Sequence, residues 1–311
     1  MSTPPTTAHE NRDEEVVESG DGFPLGAMIG SRYRILGHIG RGGMGEIYRA
    51  LHVVLRREVA LKVIARRWAK RRVIRARFRA EVRRAASIID DHVVQIYDAG
   101  ALTDGRPYLV MELLLGDTLA ARLEPRDALG LLETLEIALG IALGLRAAHR
   151  QGIVHRDVTP SNVMLVPDGD GWRPKLLDFG LAVDLGVRDD APRLTAPGAR
   201  VGTALYMAPE QIACARVSPR TDVYALGELT FEMLVGWPPF GGATAEAIYR
   251  RKREGRHPSF RTVRPELGAE LAGLLDACLA RDPEDRPDLE RIIDQLVIAR
   301  AWLRSSGRAA T

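Results

Sequence analysis

Cysteine, lysine and aromatic residues are scarce in this chain, and each scarcity excludes something. With only Cys214 and Cys278 among 311 residues there is no disulfide framework, so the fold must rest on a hydrophobic core, and a reducing compartment suits it. No long apolar run is present. The most apolar stretch, Leu129 to His149, is interrupted by Glu133, Glu136 and Arg146, which is the pattern of an amphipathic core helix rather than of a membrane span. The opening residues lack a basic region followed by an apolar one, so no secretory leader is visible and a cytoplasmic location is expected. A net charge of +3 and a pI near 9.0 are too mild for a dedicated nucleic-acid binder. Lysine occurs only at Lys62, Lys70, Lys175 and Lys252, although lysine and arginine together number 44. Ammonium and guanidinium are not interchangeable in a tight site, so a lysine kept in such a chain marks a place where a compact point charge matters.

What is present is a 46% hydrophobic chain, enough for a substantial core. Residues 1–27 are rich in Pro, Thr and acidic side chains and read as a disordered tail, with a second disordered end at 305–311. From Tyr33 the pattern changes to short β-prone runs broken by glycine: Tyr33 to Ile39, Glu46 to Leu51, Val59 to Ile64, Val93 to Tyr97 and Tyr108 to Glu112. These predict a five-stranded antiparallel sheet. One helix, about Ile74 to Ser87, should lie on it, with Phe78, Val82 and Ala85 sharing a face. After Leu115 the periodicity predicts helices over Leu129–Arg150, Val223–Val235, Ala243–Glu254, Ala269–Ala280 and Leu289–Leu303. The expected class is α+β: a small antiparallel lobe with one major helix, about 28–112, followed by a larger helical lobe, about 116–304.

Gly40-Arg41-Gly42-Gly43-Met44-Gly45 lies between two predicted strands, where glycines let the backbone fold over a polyphosphate and offer amides to it. A glycine-rich hairpin would read the same way. A dinucleotide fingerprint would open a helix after its glycines, whereas Glu46-Ile47-Tyr48 continues as strand. The strand Val59-Ala60-Leu61-Lys62 then ends on one of the rare lysines. A partly buried lysine needs a counter-ion, and Glu81 is the only acid within the basic run Arg66 to Arg84, so Lys62 and Glu81 are the expected ion pair. Further on come His155-Arg156-Asp157-Val158-Thr159-Pro160-Ser161-Asn162, just after a long helix, and Asp178-Phe179-Gly180, after the strand-like Pro174 to Leu177.

This ordered set, from about Tyr33 to Leu303, resembles the eukaryotic-like serine/threonine protein kinases of bacteria. The resemblance implies the two-lobed protein-kinase fold, MgATP as co-substrate, with Mn2+ as an alternative ion, and protein Ser/Thr hydroxyls as acceptors. It implies that Lys62 holds the α- and β-phosphates, Glu81 positions Lys62, Asn162 and Asp178 ligate the metal, and Asp157 accepts or orients the substrate hydroxyl. The nucleotide would lie against Ile39, the loop glycines Gly40, Gly42, Gly43 and Gly45, and Ile47 and Ala60 above. Met164 would lie below it, Met111 behind, and Glu112 to Leu114 would offer backbone hydrogen bonds. The stretch from Asp178 to Gly202–Glu210 resembles the activation segment and substrate-docking loop; within it Thr195 is the expected regulatory phosphosite, paired with Arg156, and Thr203 belongs to the same element. Glu210 with Arg286, and Asp222, resemble the family's structural groups.

The pattern is departed from at Thr159, where serine/threonine kinases usually carry a lysine that meets the γ-phosphate. Loss of such a contact costs on the order of tenfold to a thousandfold in rate, which leaves a catalytically weak, pseudokinase-like module as the alternative. A small-molecule kinase on the same fold is a third reading, and the peptide-docking element argues against it. The ten basic residues of Arg66–Arg84 suit either a solvated helix face or an acidic partner; no base-reading motif accompanies them. Oligomeric state is not legible.

Overall fold

The computed structural model describes residues 22–42, 45–66, 82–125, 127–179 and 204–306. Two lobes are evident. The first is an antiparallel sheet of β1 (Met28–Ile29), β2 (Tyr33–Gly42), β3 (Gly45–His52), β4 (Arg57–Ile64), β5 (Ile96–Ala101) and β6 (Pro107–Glu112), in the order β1-β2-β3-β4-β6-β5. The sheet has six strands rather than the five expected, because Met28 and Ile29 pair with Arg34 and Tyr33 at its edge. Side chains alternate between faces along a strand. In β4, Val59, Leu61 and Val63 therefore enter an outer cluster with Tyr33, Ile35, Tyr48 and Val110, while Ala60 and Ile64 join Val82, Val94, Leu109 and Met111 on the other side. Lys62 shares this second face, so the strand that buries both sides delivers one charge into the space between the lobes.

Two sequence boundaries move. Residues 22–27, assigned to the tail by composition, are folded: Phe23 stacks edge-on against Tyr48 at 5.7 Å, and Gly26 N donates to Ile35 O. An isolated apolar residue in a polar stretch carries too little periodicity to reveal this. The run Val93–Tyr97 is not one strand. Val93 forms a parallel bridge to Leu176 and Val94 N donates to Leu176 O at 3.0 Å, so the ladder of β5 begins only at Ile96. The apolar pair that looks like a strand start is in fact the seam between the lobes. Of the predicted helix at Ile74–Ser87, residues 82–86 are helical, with Val82 and Ala85 buried; the rest lies outside the described residues.

The second lobe is helical, with a small sheet of β7 (Asp117–Thr118), β8 (Val163–Asp168) and β9 (Gly171–Leu176) at its upper edge. After the short α1 (Leu119–Leu123) come α2 (Leu131–Arg150), α3 (Pro209–Ile212), α4 (Pro219–Val235), α5 (Ala245–Glu254), α6 (Phe260–Val263), α7 (Gly268–Cys278) and α8 (Leu289–Ser305). Helix α4 is buried nearly all round and lies in the core, where its polar residues Asp222 and Glu228 are enclosed with the apolar ones. Its start is set by Ser218, whose hydroxyl accepts from Arg220 N while Thr221 Oγ1 accepts from Ser218 N, and Gly236 at φ +84° ends it. Helix α2 can approach the interlobe seam because Gly144 has no side chain; a Cβ there would meet His92 O at 2.7 Å. No described helix is long and apolar enough to cross a membrane.

Candidate active site

The cleft side of the small lobe is assembled by strand register. Lys62 lies opposite Ile47 on β3 and Leu109 on β6, and Ala60 lies opposite Met111. Ile47, Leu113, Leu114 and Leu177 pack half-buried against the cluster containing Ala60 and Met111. The expected upper and rear walls of an adenine pocket are thus contiguous. Met164 sits on β8 between the buried Val163 and Leu165, so alternation turns it to the opposite side of that small sheet. Ile39 is exposed at the end of β2. Gly40 and Gly42 face open space, whereas a Cβ on Gly45 would collide with the Val63 carbonyl. Gly45 is therefore needed for strand approach, and Gly40 and Gly42 are the two whose bare backbone faces outward. Gly43 lies outside the described residues.

The lower half is built from the loop after α2. Asp222, 1% exposed in the first turn of α4, accepts from His155 N at 2.8 Å and from Arg156 N at 2.8 Å, and its Oδ2 lies 2.7 Å from His149 Nε2. Gln211 Nε2 holds the next peptide, on the other side of the same residue, by donating to Arg156 O at 2.9 Å. Arg156 has φ +65°, a conformation that costs a non-glycine residue about 1–3 kcal/mol and persists only when its surroundings enforce it. Asp222 and Gln211 do that here. The strained residue is next to Asp157, so its conformation aims the following carboxylate.

His155 links this loop to the Asp178 strand end. Its Nε2 lies 2.9 Å from Leu177 O, which can only accept, so Nε2 carries the proton and Nδ1 receives the Asp157 amide at 3.3 Å. The His155 ring rests on Phe179 with centroids 4.5 Å apart. Asn162 donates Nδ2 to Asp157 O at 2.8 Å and to Asp157 Oδ2 at 3.0 Å, while its own carbonyl accepts from Leu177 N at 2.9 Å. With the amide nitrogen committed to Asp157, Oδ1 is the Asn162 atom suited to an oxygen-seeking cation. Asp178 follows at φ +53°, and its Oδ2 is 2.5 Å from the Lys62 ammonium, which is 5% exposed.

Lys62, Asp178, Asn162 and Asp157 therefore converge across the cleft through direct contacts and one short loop. The expected partner of Lys62, Glu81, lies outside the described residues, as do Thr195 and Thr203 and most of the basic run Arg66–Arg84. Glu210 and Arg286 meet as a two-pronged pair at 2.8 Å on each arm. Sequence reasoning missed the bracing roles of His149, His155 and Gln211, whose partners lie on other elements. It also missed two ion pairs made by rare lysines: Lys175 with Glu112 at 2.6 Å, tying β9 to the interlobe connection, and Lys252 with Glu228 at 2.5 Å. The scarcity of lysine was the available signal. Among the described residues no cluster of three or more His, Cys, Asp and Glu could hold a metal unaided.

Residues 33–298 match the model of the protein kinase domain family. The chain is 38% identical over 293 residues to the serine/threonine-protein kinase PknL of Mycobacterium tuberculosis, covering 91% of this chain and 71% of that protein. It is 38% identical to the probable serine/threonine-protein kinase SCO3848 of Streptomyces coelicolor and to Pkn1 of Myxococcus xanthus, of which it spans 40% and 39%. The solved kinase domain of M. tuberculosis PknI matches with a TM-score of 0.68 at 28% identity, covering 90% of this chain and 100% of that domain.

Proposed function

Because the chain belongs to the protein kinase domain family and is a serine/threonine protein kinase by kinship, we propose that residues 28–304 transfer the γ-phosphoryl of ATP to protein hydroxyls at Asp157. The observation that carries this is that the Lys62–Asp178 ion pair and the Asn162 bond to the Asp157 carboxylate are joined through the backbone bond of Leu177 N, next to Asp178, to Asn162 O. Phosphoryl transfer asks a protein mainly to align the nucleophile and to stabilise charge on the phosphate oxygens. Lys62 brings a point charge to the α- and β-phosphates, on a strand whose burial keeps it from wandering. The substrate oxygen bonds to the γ-phosphorus as the bond to the β–γ bridging oxygen breaks. ADP leaves, and the hydroxyl proton goes to Asp157, which Asn162 holds in place.

Asp178 and Asn162 Oδ1 are the oxygen donors that fit a magnesium ion, or manganese with the same preference, and phosphate and water would complete its shell. Bound there, the ion neutralises charge on the transferring phosphate. Nucleotide contacts are assigned to Ile47, Ala60, Met111, the Glu112–Leu114 connection and Met164. Thr195 is read as an autophosphorylation site whose phosphate pairs with Arg156, and the Arg66–Arg84 run as a solvated helix face with an acidic partner as the alternative. Transfer of radiolabelled phosphate to a serine- and threonine-containing protein tests the central claim. Asp157→Asn and Lys62→Met should each reduce it by about 10²–10⁴-fold. A wild type no faster than these variants would refute it, and label appearing in a small metabolite instead would favour the third reading. Mass spectrometry after incubation with MgATP checks Thr195.

A further inference from the structure

Helix α5 carries a lysine into the interior of the helical lobe. Lys252 and Glu228 are both 0% exposed in their side chains, with Nζ 2.5 Å from Glu228 Oε1. The same nitrogen donates to Leu205 O at 2.7 Å and to Met207 O at 2.8 Å. The rings of Tyr224 and Phe240 flank it at 5.3 and 5.7 Å. Two N–H groups thus have acceptors in backbone carbonyls of the segment that runs into α3, and the ammonium lies against the Glu228 carboxylate as an ion pair. Burial pushes the Glu228 carboxyl up and the Lys252 ammonium down. Moving the proton from nitrogen to carboxylate still leaves two N–H groups for two carbonyls, so the anchoring survives either arrangement.

A buried ion pair is seldom more stabilising than an apolar pair of similar volume. Core stability alone therefore gives this one little reason to exist, whereas its geometry serves a particular loop. Segment 204–208 is clamped on its inner side by several elements at once. Tyr206 Oη donates to Glu232 on α4 at 2.7 Å, Ala204 packs with Ala245, Ile248 and Tyr249, and Ala208 N donates to Gln211 Oε1 at 3.0 Å. Gln211 in turn reaches the Arg156 carbonyl beside Asp157. Lys252 holds the backbone on both sides of Tyr206, and Gln211 holds it at Ala208.

We propose that Lys252, paired with Glu228, is a positioning residue for the peptide substrate: it fixes the backbone of Leu205 to Met207 relative to the Asp157 loop, so that an acceptor hydroxyl docked on this segment meets the carboxylate. This rests on reading residues 204–210 as the peptide-docking element. An arginine could not substitute, since a planar fork does not match three converging oxygens.

The test is the double variant Lys252→Met with Glu228→Leu, which removes both charges, so no carboxylate is stranded, and releases the Leu205 and Met207 carbonyls. It should fold, bind ATP with the wild-type Kd in the absence of peptide, and show a KM for an acceptor peptide raised about tenfold. A peptide KM within about twofold of wild type would overturn the proposal. So would ATP affinity falling in parallel, which marks a global effect. Failure of the double variant to fold would equally count against it, because a pair that only positions the docking segment is dispensable to the core. A wild type that phosphorylates no peptide would instead overturn the kinase reading itself, so the two failures are distinguishable.

Discussion

Arg286 offers a quantitative test of what holds the helical lobe together. The residue is 1% exposed, and its guanidinium makes five hydrogen bonds. Nε donates to Ala280 O at 2.9 Å, Nη1 to Glu210 Oε1 and Arg220 O at 2.8 Å each, and Nη2 to Glu210 Oε2 at 2.8 Å and Arg281 O at 3.1 Å. These satisfy all five donors of an arginine. Arg286→Lys keeps the charge but has three donors, so two buried acceptors lose a partner at about 1–3 kcal/mol each, or about 2–6 kcal/mol together. Arg286→Met strands the Glu210 carboxylate and should cost about 3–5 kcal/mol. Urea denaturation followed by tryptophan fluorescence reads this directly. With a slope of about 3 kcal/mol/M, the lysine variant should lower the midpoint by about 1 M without changing the slope. A shift below about 0.3 M would refute the argument that fork geometry, rather than charge, is what this site requires.

The same pair predicts an acid dependence. Burial raises the Glu210 pKa, but the hydrogen bonds and charge of Arg286 outweigh that and leave it below the ordinary 4.5. Its contribution is therefore complete above the unfolded-state pKa and is lost as pH falls through the lower folded-state value, so Glu210→Gln should flatten the fall in urea midpoint below about pH 4.5. Asp222→Ala should release the strained Arg156 peptide and lower kcat about 10²-fold, measured at saturating ATP and peptide; an unchanged kcat would show that Asp157 is aimed by other contacts. Thr159→Lys should raise kcat by about tenfold or more if a missing charge near the transferred phosphate limits the enzyme, and an unchanged rate would dismiss that cause.

Most of the small lobe was readable because its rules are local. Alternation along Val59–Lys62 already put Ala60 and Lys62 on one face, and glycines between β-prone runs located the loop before Glu46. The helices of the larger lobe followed from their periodicity to within a few residues, except that Ser218 starts α4 earlier through a capping arrangement the hydrophobic pattern does not register. The order of Lys62, Asp157, Asn162 and Asp178 in the chain was legible too, and the roles proposed for these groups rest on it.

What remained hidden was which buried group meets which. Val93 and Val94 look like any strand start, yet they leave the sheet to pair with Leu176 because the lobes must be joined there. The bracing of the loop at His155 and Arg156 by Asp222 was expected only through the family resemblance, and nothing announced that Lys252 seeks out Glu228, Leu205 and Met207 across long stretches of intervening chain. Spacing along a chain encodes the face on which a side chain emerges. The partner of a buried charge is chosen by whichever elements the core brings together, and the requirement that such a charge be satisfied acts only once they have met.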